Sequence, residues 1–174
     1  GKQHNFHLMI NKLPAGDYEF TLANESITVW ENDKTSHNGI AREYVVINLD
    51  TPGTLDAVIA SKGLTISKVR NLKLTGKIGA RDFAVMKYLM TYLSCLNLKE
   101  AEICETNGGN LGFNGSDYSG CKANCIPDGA MSNKRSMTSL ILPDKLEKIG
   151  NNAFADCNGL TGSLIIPEGV TEFD

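Results

Sequence analysis

The stretch IGNNAFADCNGLTGSLIIPEGVTEF, residues 149–173, decides the fold, because the stretch before it runs on the same pattern. Residues 126–148 read IPDGAMSNKRSMTSLILPDKLEK. Ile126, Ala130, Met131 and Met137 return at one constant offset as Ile149, Ala153, Phe154 and Leu160. Leu140, Pro143, Leu146 and Ile149 return, at an offset longer by one, as Leu164, Pro167, Val170 and Phe173. Phase is kept across three copies, with one residue inserted near Gly162 and Ser163. A period of roughly two dozen residues marks supersecondary units that cannot bury their own apolar edge, so neighbours stack and share a core.

A weaker echo lies upstream. Leu72 and Leu74 return at the longer of these offsets as Leu96 and Leu98, and the same L-x-L spacing recurs at Leu140 and Leu142. Between the last two comes CETNGGNLGFNGSDYSGCKANC, residues 104–125, whose Gly, Asn and Ser content predicts a long surface loop. Each L-x-L predicts a short strand with alternate side chains turned inward. Each A-F step predicts the return of the chain, with an aromatic buried between layers. Truncating a fully buried Phe154 to Ala is expected to cost about 3–5 kcal/mol. The fold class that follows is an α/β solenoid, a leucine-rich stack of short parallel strands with helical or irregular returns.

Before Leu72 the periodicity changes. Phe83, Met86, Met90 and Leu93 are spaced by three and four, which predicts an amphipathic helix over residues 80–93. Residues 56–61 predict a short helix with Thr54 as N-cap and Gly63 as its stop. Upstream of Thr51-Pro52-Gly53 the period becomes two. Tyr18, Phe20 and Leu22 alternate, as do Ile27 and Val29, and Val45, Ile47 and Leu49. These predict a hairpin over residues 17–30, a polar turn over 31–40 and a third strand over 44–49. The division expected is a β-rich N-terminal cap over residues 1–50 and a repeat domain over 51–174.

Composition narrows the function. With 17 Lys and Arg against 20 Asp and Glu, the formal charge is −3, which gives no electrostatic case for nucleic acid. No run approaches the roughly 18–20 apolar residues of a membrane span. No basic start with an apolar h-region reads as an export signal, although the chain opens on Gly1. The last repeat stops part-way at Asp174, so self-association through that end, or a longer array, is expected.

Residues 126–173 resemble the BspA-like leucine-rich repeat, whose pattern is close to I-G-x-x-A-F-x-x-C-x-x-L-T-x-I-x-I-P-x-x-V-T. Ile149, Gly150, Ala153, Phe154, Cys157, Leu160, Ile165, Pro167, Val170 and Thr171 fall on it. The preceding copy departs from it: Met131 stands for Phe, Lys134 for Cys and Met137 for Leu. The stretch from Thr51 to Phe83 is similar to the flank that precedes such repeats. The repeat is common in cell-surface proteins of Bacteroides and relatives. The resemblance therefore implies a secreted or surface-displayed chain that binds a protein or a glycan, host extracellular matrix included. It supplies no catalytic residues, and no cofactor.

The remaining candidates for chemistry are thin. His4 and His7 lack a Cys or acidic ligand at zinc-like spacing. Cys104, Cys121 and Cys125 lack a fourth ligand and the C-x-x-C spacing of zinc ribbons. In an exported chain, a disulfide from Cys104 to either Cys121 or Cys125 would close the loop. Cys157 fills the small apolar slot of the repeat, and Cys95 precedes a strand; both read as packing residues. GGNLG at 108–112 lacks the lysine of a phosphate-binding loop, and neither G-x-S-x-G nor H-E-x-x-H occurs. Carboxylate neighbours such as Glu100 and Glu102 read as solvated faces. What is left is the outward strand row, Lys73, Asn97, Ile141 and Ile165, a mixed strip ending in two isoleucines that is expected to contact a partner. The alternatives are a structural spacer between other domains and, less favoured, an enzyme using the loop cysteines or an N-terminal site.

Overall fold

The computed structural model describes residues 8–12, 18–22, 43–161 and 163–173. The chain forms two compact units, residues 1–41 and 42–174. In the first, β1 (Leu8–Lys12) and β2 (Tyr18–Leu22) pair antiparallel, Leu8 opposite Leu22 and Lys12 opposite Tyr18. Sequence alternation identifies β2 but assigns it a partner at 27–29. The observed partner β1 begins Leu-Met-Ile, a run without alternation, so periodicity passes over it. Residues 27–29, the polar stretch 31–40 and all three histidines lie outside the described residues.

The second unit opens with β3 (Val45–Leu49), α1 (Leu55–Ser61) and β4 (Asn71–Ile78). Sequence alternation groups residues 45–49 with the N-terminal hairpin. In the structure β3 runs parallel to β4 through five register pairs, from Val45 opposite Leu72 to Leu49 opposite Gly76. Its alternation turns Ile47 and Leu49 into the core shared with β4. Helix α1 starts one residue before the expected 56, and Thr54 stands at its N-cap as expected but makes no side-chain capping bond: its hydroxyl donates to the Thr51 carbonyl at 2.7 Å. At the other end Gly63 N–H donates to Ala60 O and Leu64 N–H to Ile59 O, the paired bonds that close a helix C-terminus.

Helix α2 (Ala80–Ala84) runs on into a π-helical turn at Val85–Leu89, shorter than the helix expected to reach Leu93. All four residues of the expected apolar stripe, Phe83, Met86, Met90 and Leu93, are buried nonetheless. Then follow β5 (Cys95–Asn97), β6 (Ala101–Ile103), β7 (Gly109–Asn110), β8 (Asp117–Tyr118), β9 (Cys125–Ile126), β10 (Ser139–Ile141), β11 (Lys148–Ile149) and β12 (Glu172–Phe173).

Two parallel ladders carry the repeat. In the first, strands lie in the order β10-β5-β4-β3, and β6 pairs with the second half of β4. Its register lines up Val45, Leu72, Leu96 and Leu140. In the second, β9, β11 and β12 place Ile126, Ile149 and Phe173 side by side, as the repeat offsets require. The leucines of the first ladder and the isoleucines of the second belong to one buried cluster that reaches from Ile47 to Cys157.

The return segments are stitched layer to layer by backbone bonds. Gly129, Met131 and Asn133 donate to the carbonyls of Asn151, Ala153 and Ala155 at 2.8, 2.7 and 2.8 Å. The two layers also share an unusual backbone. Gly129 and Asn152 have φ of 58° and 51°, and Asn133 and Asp156 have 66° and 57°. The members of each pair stand one repeat apart, and each position holds Gly, Asn or Asp, the residues that tolerate a left-handed conformation. Layers approach closely at Gly150, where an added Cβ would lie 2.5 Å from Asp128 Oδ1 and 2.9 Å from the Ile126 carbonyl.

Met131 is fully buried between layers, whereas Phe154, in the following layer, is only half-buried against the core. The full cost expected of a buried aromatic therefore does not apply to Phe154, and the fully buried side chain at this repeat position is Met131. Met131→Ala should destabilise the second unit by roughly 2–5 kcal/mol, with Phe154→Ala costing less, as read from denaturant midpoints at constant slope.

Candidate binding face

The register of the first ladder defines its outward row: Val46, Lys73, Asn97 and Ile141 stand side by side. The structure brings three of the four sequence candidates into this row and treats each differently. The Lys73 ammonium is half-buried and pairs with Glu100 Oε1 at 2.7 Å. Ile141 is half-buried on β10.

Asn97 corrects the sequence reading. Expected outward and accessible, it is 0% exposed. It lies on β5, flanked by β4 and β10, and its side chain bends along its own strand so that Oδ1 accepts the Lys99 N–H at 2.9 Å. Its Nδ2 is buried without a hydrogen-bond partner. A buried amide left unpaired costs about 1–3 kcal/mol, so Asn97 weakens the stack where it seals the middle of the row.

Ile165, the fourth candidate, is 73% exposed. Leu164 and Ile166, which the repeat assigns inward, are exposed as well. The reason is the ladder itself: among the described residues β10 is the last strand of its sheet, and residues 163–166 add no rung to it. Three consecutive apolar side chains thus face water.

The 104–125 insertion is exposed along much of its length, as expected, but it is folded. Strands β7 and β8 form a small antiparallel hairpin, and Thr106 and Cys121 exchange backbone bonds of 3.0 and 2.9 Å at its neck. Thr106 Oγ1 accepts the Ala80 N–H at 2.8 Å, tying the neck to the first turn of α2. The Tyr88 hydroxyl donates to the Asp117 carbonyl at 3.1 Å, and its ring meets Phe113 edge-on at 6.2 Å. Cys104 and Cys121 carry free thiols, and the Cys121 thiol donates to the Cys104 carbonyl at 3.2 Å rather than bonding to its sulfur. Burial pushes the Cys104 and Cys157 thiols up, away from a reactive thiolate. Cys157 is buried, donating to the Met131 carbonyl at 3.0 Å.

Two carboxylates organise the scaffold under this face. Asp82, fully buried, accepts the N–H groups of Gly53, Leu55 and Gly79 at 2.6, 3.0 and 2.8 Å, so one side chain caps the starts of α1 and α2. Burial pushes its carboxyl above the usual range, and the three donors pull the other way. Asp56 takes a two-point bond from Arg81 at 2.6 and 2.8 Å, which holds its carboxyl below the usual range. Sequence spacing shows neither link, because the partners lie far apart along the chain without periodicity. Among the described residues no group of three or more His, Cys, Asp or Glu is placed to hold a metal ion. Nor is any described helix long and apolar enough to cross a membrane.

Repeated parallel rungs with an A-F return and matched left-handed positions define a leucine-rich-repeat scaffold. Residues 124–174 match the family model described as the BspA type Leucine rich repeat region. No curated protein matches the chain. That family makes the repeat segment a protein-interaction scaffold.

The Asp56 pair gives a pH test of the scaffold. A carboxyl depressed in the folded state adds stability that is fully present above its unfolded value of 3.8 and is lost as pH falls through the lower folded value. Unfolding free energies measured by urea titration should drop across that acid window, and Asp56→Asn should remove this part of the drop.

Proposed function

We propose that the chain is a non-catalytic binding module, secreted or displayed at a cell surface, that captures a protein or glycan ligand. Its parallel rungs make an open solenoid. The contact residues are Lys73 and Ile141 of the strand row and the exposed Ile165 beyond it, without Asn97. The observation that carries the reading is the exposure of Leu164, Ile165 and Ile166 in a row, an apolar patch of the kind that marks interaction sites. The sealed Asn97 and the Lys73–Glu100 pair favour a second reading, a spacer whose strand row engages nothing.

Surface plasmon resonance against extracellular-matrix proteins, alongside a glycan array, separates the two. On the binding reading, Ile165→Asp abolishes capture of any ligand found while leaving the thermal unfolding transition in place. Capture unchanged by Ile165→Asp, or no ligand on either panel, supports the spacer.

A further inference from the structure

Away from the strand row, an open cleft of about 530 Å³ lies between the π-helical turn with its exit, Lys87 to Tyr92, and the return segment 132–136. Three of its lining side chains are cations, Lys87, Lys134 and Arg135, and none is acidic. None of the three forms an ion pair with a described carboxylate. In a chain of net charge −3 this is a local reversal of sign.

Lys134 is the odd member. It occupies the slot that Cys157 fills in the next repeat, where a neutral thiol suffices to donate to a carbonyl. Lys134 is only 5% exposed, and its ammonium donates to the Met90 carbonyl at 2.5 Å at the exit of the helical turn. A buried cation without a counter-ion is costly, and the repeat's own thiol would avoid that cost. Burial pulls Lys134 down to about 8 and lowers Lys87 as well, as expected of ammonium groups lacking an anion. The Lys87 ammonium donates to the Gly129 carbonyl at 2.7 Å and lies 5.2 Å from the Tyr88 ring centre. Tyr92 is exposed at the rim with the Arg70 guanidinium 5.4 Å from its ring centre. The rest of the lining carries hydroxyl and amide groups, and no aliphatic side chain contributes.

We propose that this cleft binds an anionic saccharide, with Lys134 and Arg135 holding its sulfate or carboxylate and the hydroxyl and amide side chains meeting its hydroxyls. A ligand dense in oxygen and negative charge matches a lining of cations, hydroxyls and tyrosines. An acidic peptide would share the charge but would find no aliphatic pocket for its side chains. The site is separate from the strand row, so it stands or falls independently of capture through Ile165.

Isothermal titration calorimetry of the full chain tests it with a sulfated disaccharide, its unsulfated parent and hexaglutamate. The sulfated sugar should bind, weaken as salt is raised, and lose at least about tenfold in affinity in Arg135→Ala and in Lys134→Met. Arg135 is exposed, so its variant reports on binding even if Lys134→Met disturbs the return segment. The parent sugar and hexaglutamate should bind at least tenfold more weakly. Failure of the sulfated sugar to bind, equal binding of hexaglutamate, or indifference to Arg135→Ala overturns the proposal. If Ile165→Asp abolishes protein capture while sugar binding persists, the two sites are distinct as argued.

Discussion

Leu72, Leu96 and Leu140 leave water only by standing beside one another in the first ladder, because no single repeat closes over its own apolar edge. That constraint fixes much else. It sets the parallel register, since an antiparallel or slipped neighbour would turn every second leucine to solvent. It requires the returns to keep the same length and shape, and the left-handed positions at 129 and 152, and at 133 and 156, are where the chain meets that requirement. The bonds from Gly129, Met131 and Asn133 into the next layer then satisfy polar groups that stacking would otherwise strand.

Features that repeat were legible in the sequence. The equivalence of Ile126, Ile149 and Phe173, the inward leucines, the burial of Met131 and the position of the 104–125 insertion all follow from period and composition. Features that do not repeat were hidden. Asp82 caps two helices whose starts lie far apart along the chain, and nothing in its local sequence, GARDF, announces a partner near Gly53. Strand β1 lacks alternation. Asn97 looks outward by parity, yet its short amide side chain turns back to its own backbone, which only three dimensions reveal. Leu164 and Ile166 look inward by parity, yet parity has no force where no rung pairs with them. Lys134 was visible as a departure from the repeat pattern, but its burial and its cleft were not.

The binding features divide between what the repeat provides and what interrupts it. The strand row is a product of the ladder, and its polar middle is tied up by the Lys73–Glu100 pair and by Asn97. The cleft is lined in part by Lys87 and Tyr88 of the π-helical turn, a kind of helix defect often found at functional sites. The insertion is anchored beside it through Tyr88, Asp117 and Phe113, so the same turn supports both the loop and the cleft. A stack of equal rungs gives rigidity, and the departures from it supply chemical character.

The most direct test of the stacking is NMR detection of scalar couplings through hydrogen bonds in isotope-labelled protein. Couplings from the amide nitrogens of Gly129, Met131 and Asn133 to the carbonyl carbons of Asn151, Ala153 and Ala155 are the predicted result, with those amides slow to exchange. Absence of these couplings, with rapid exchange at the same amides, would contradict the layered arrangement.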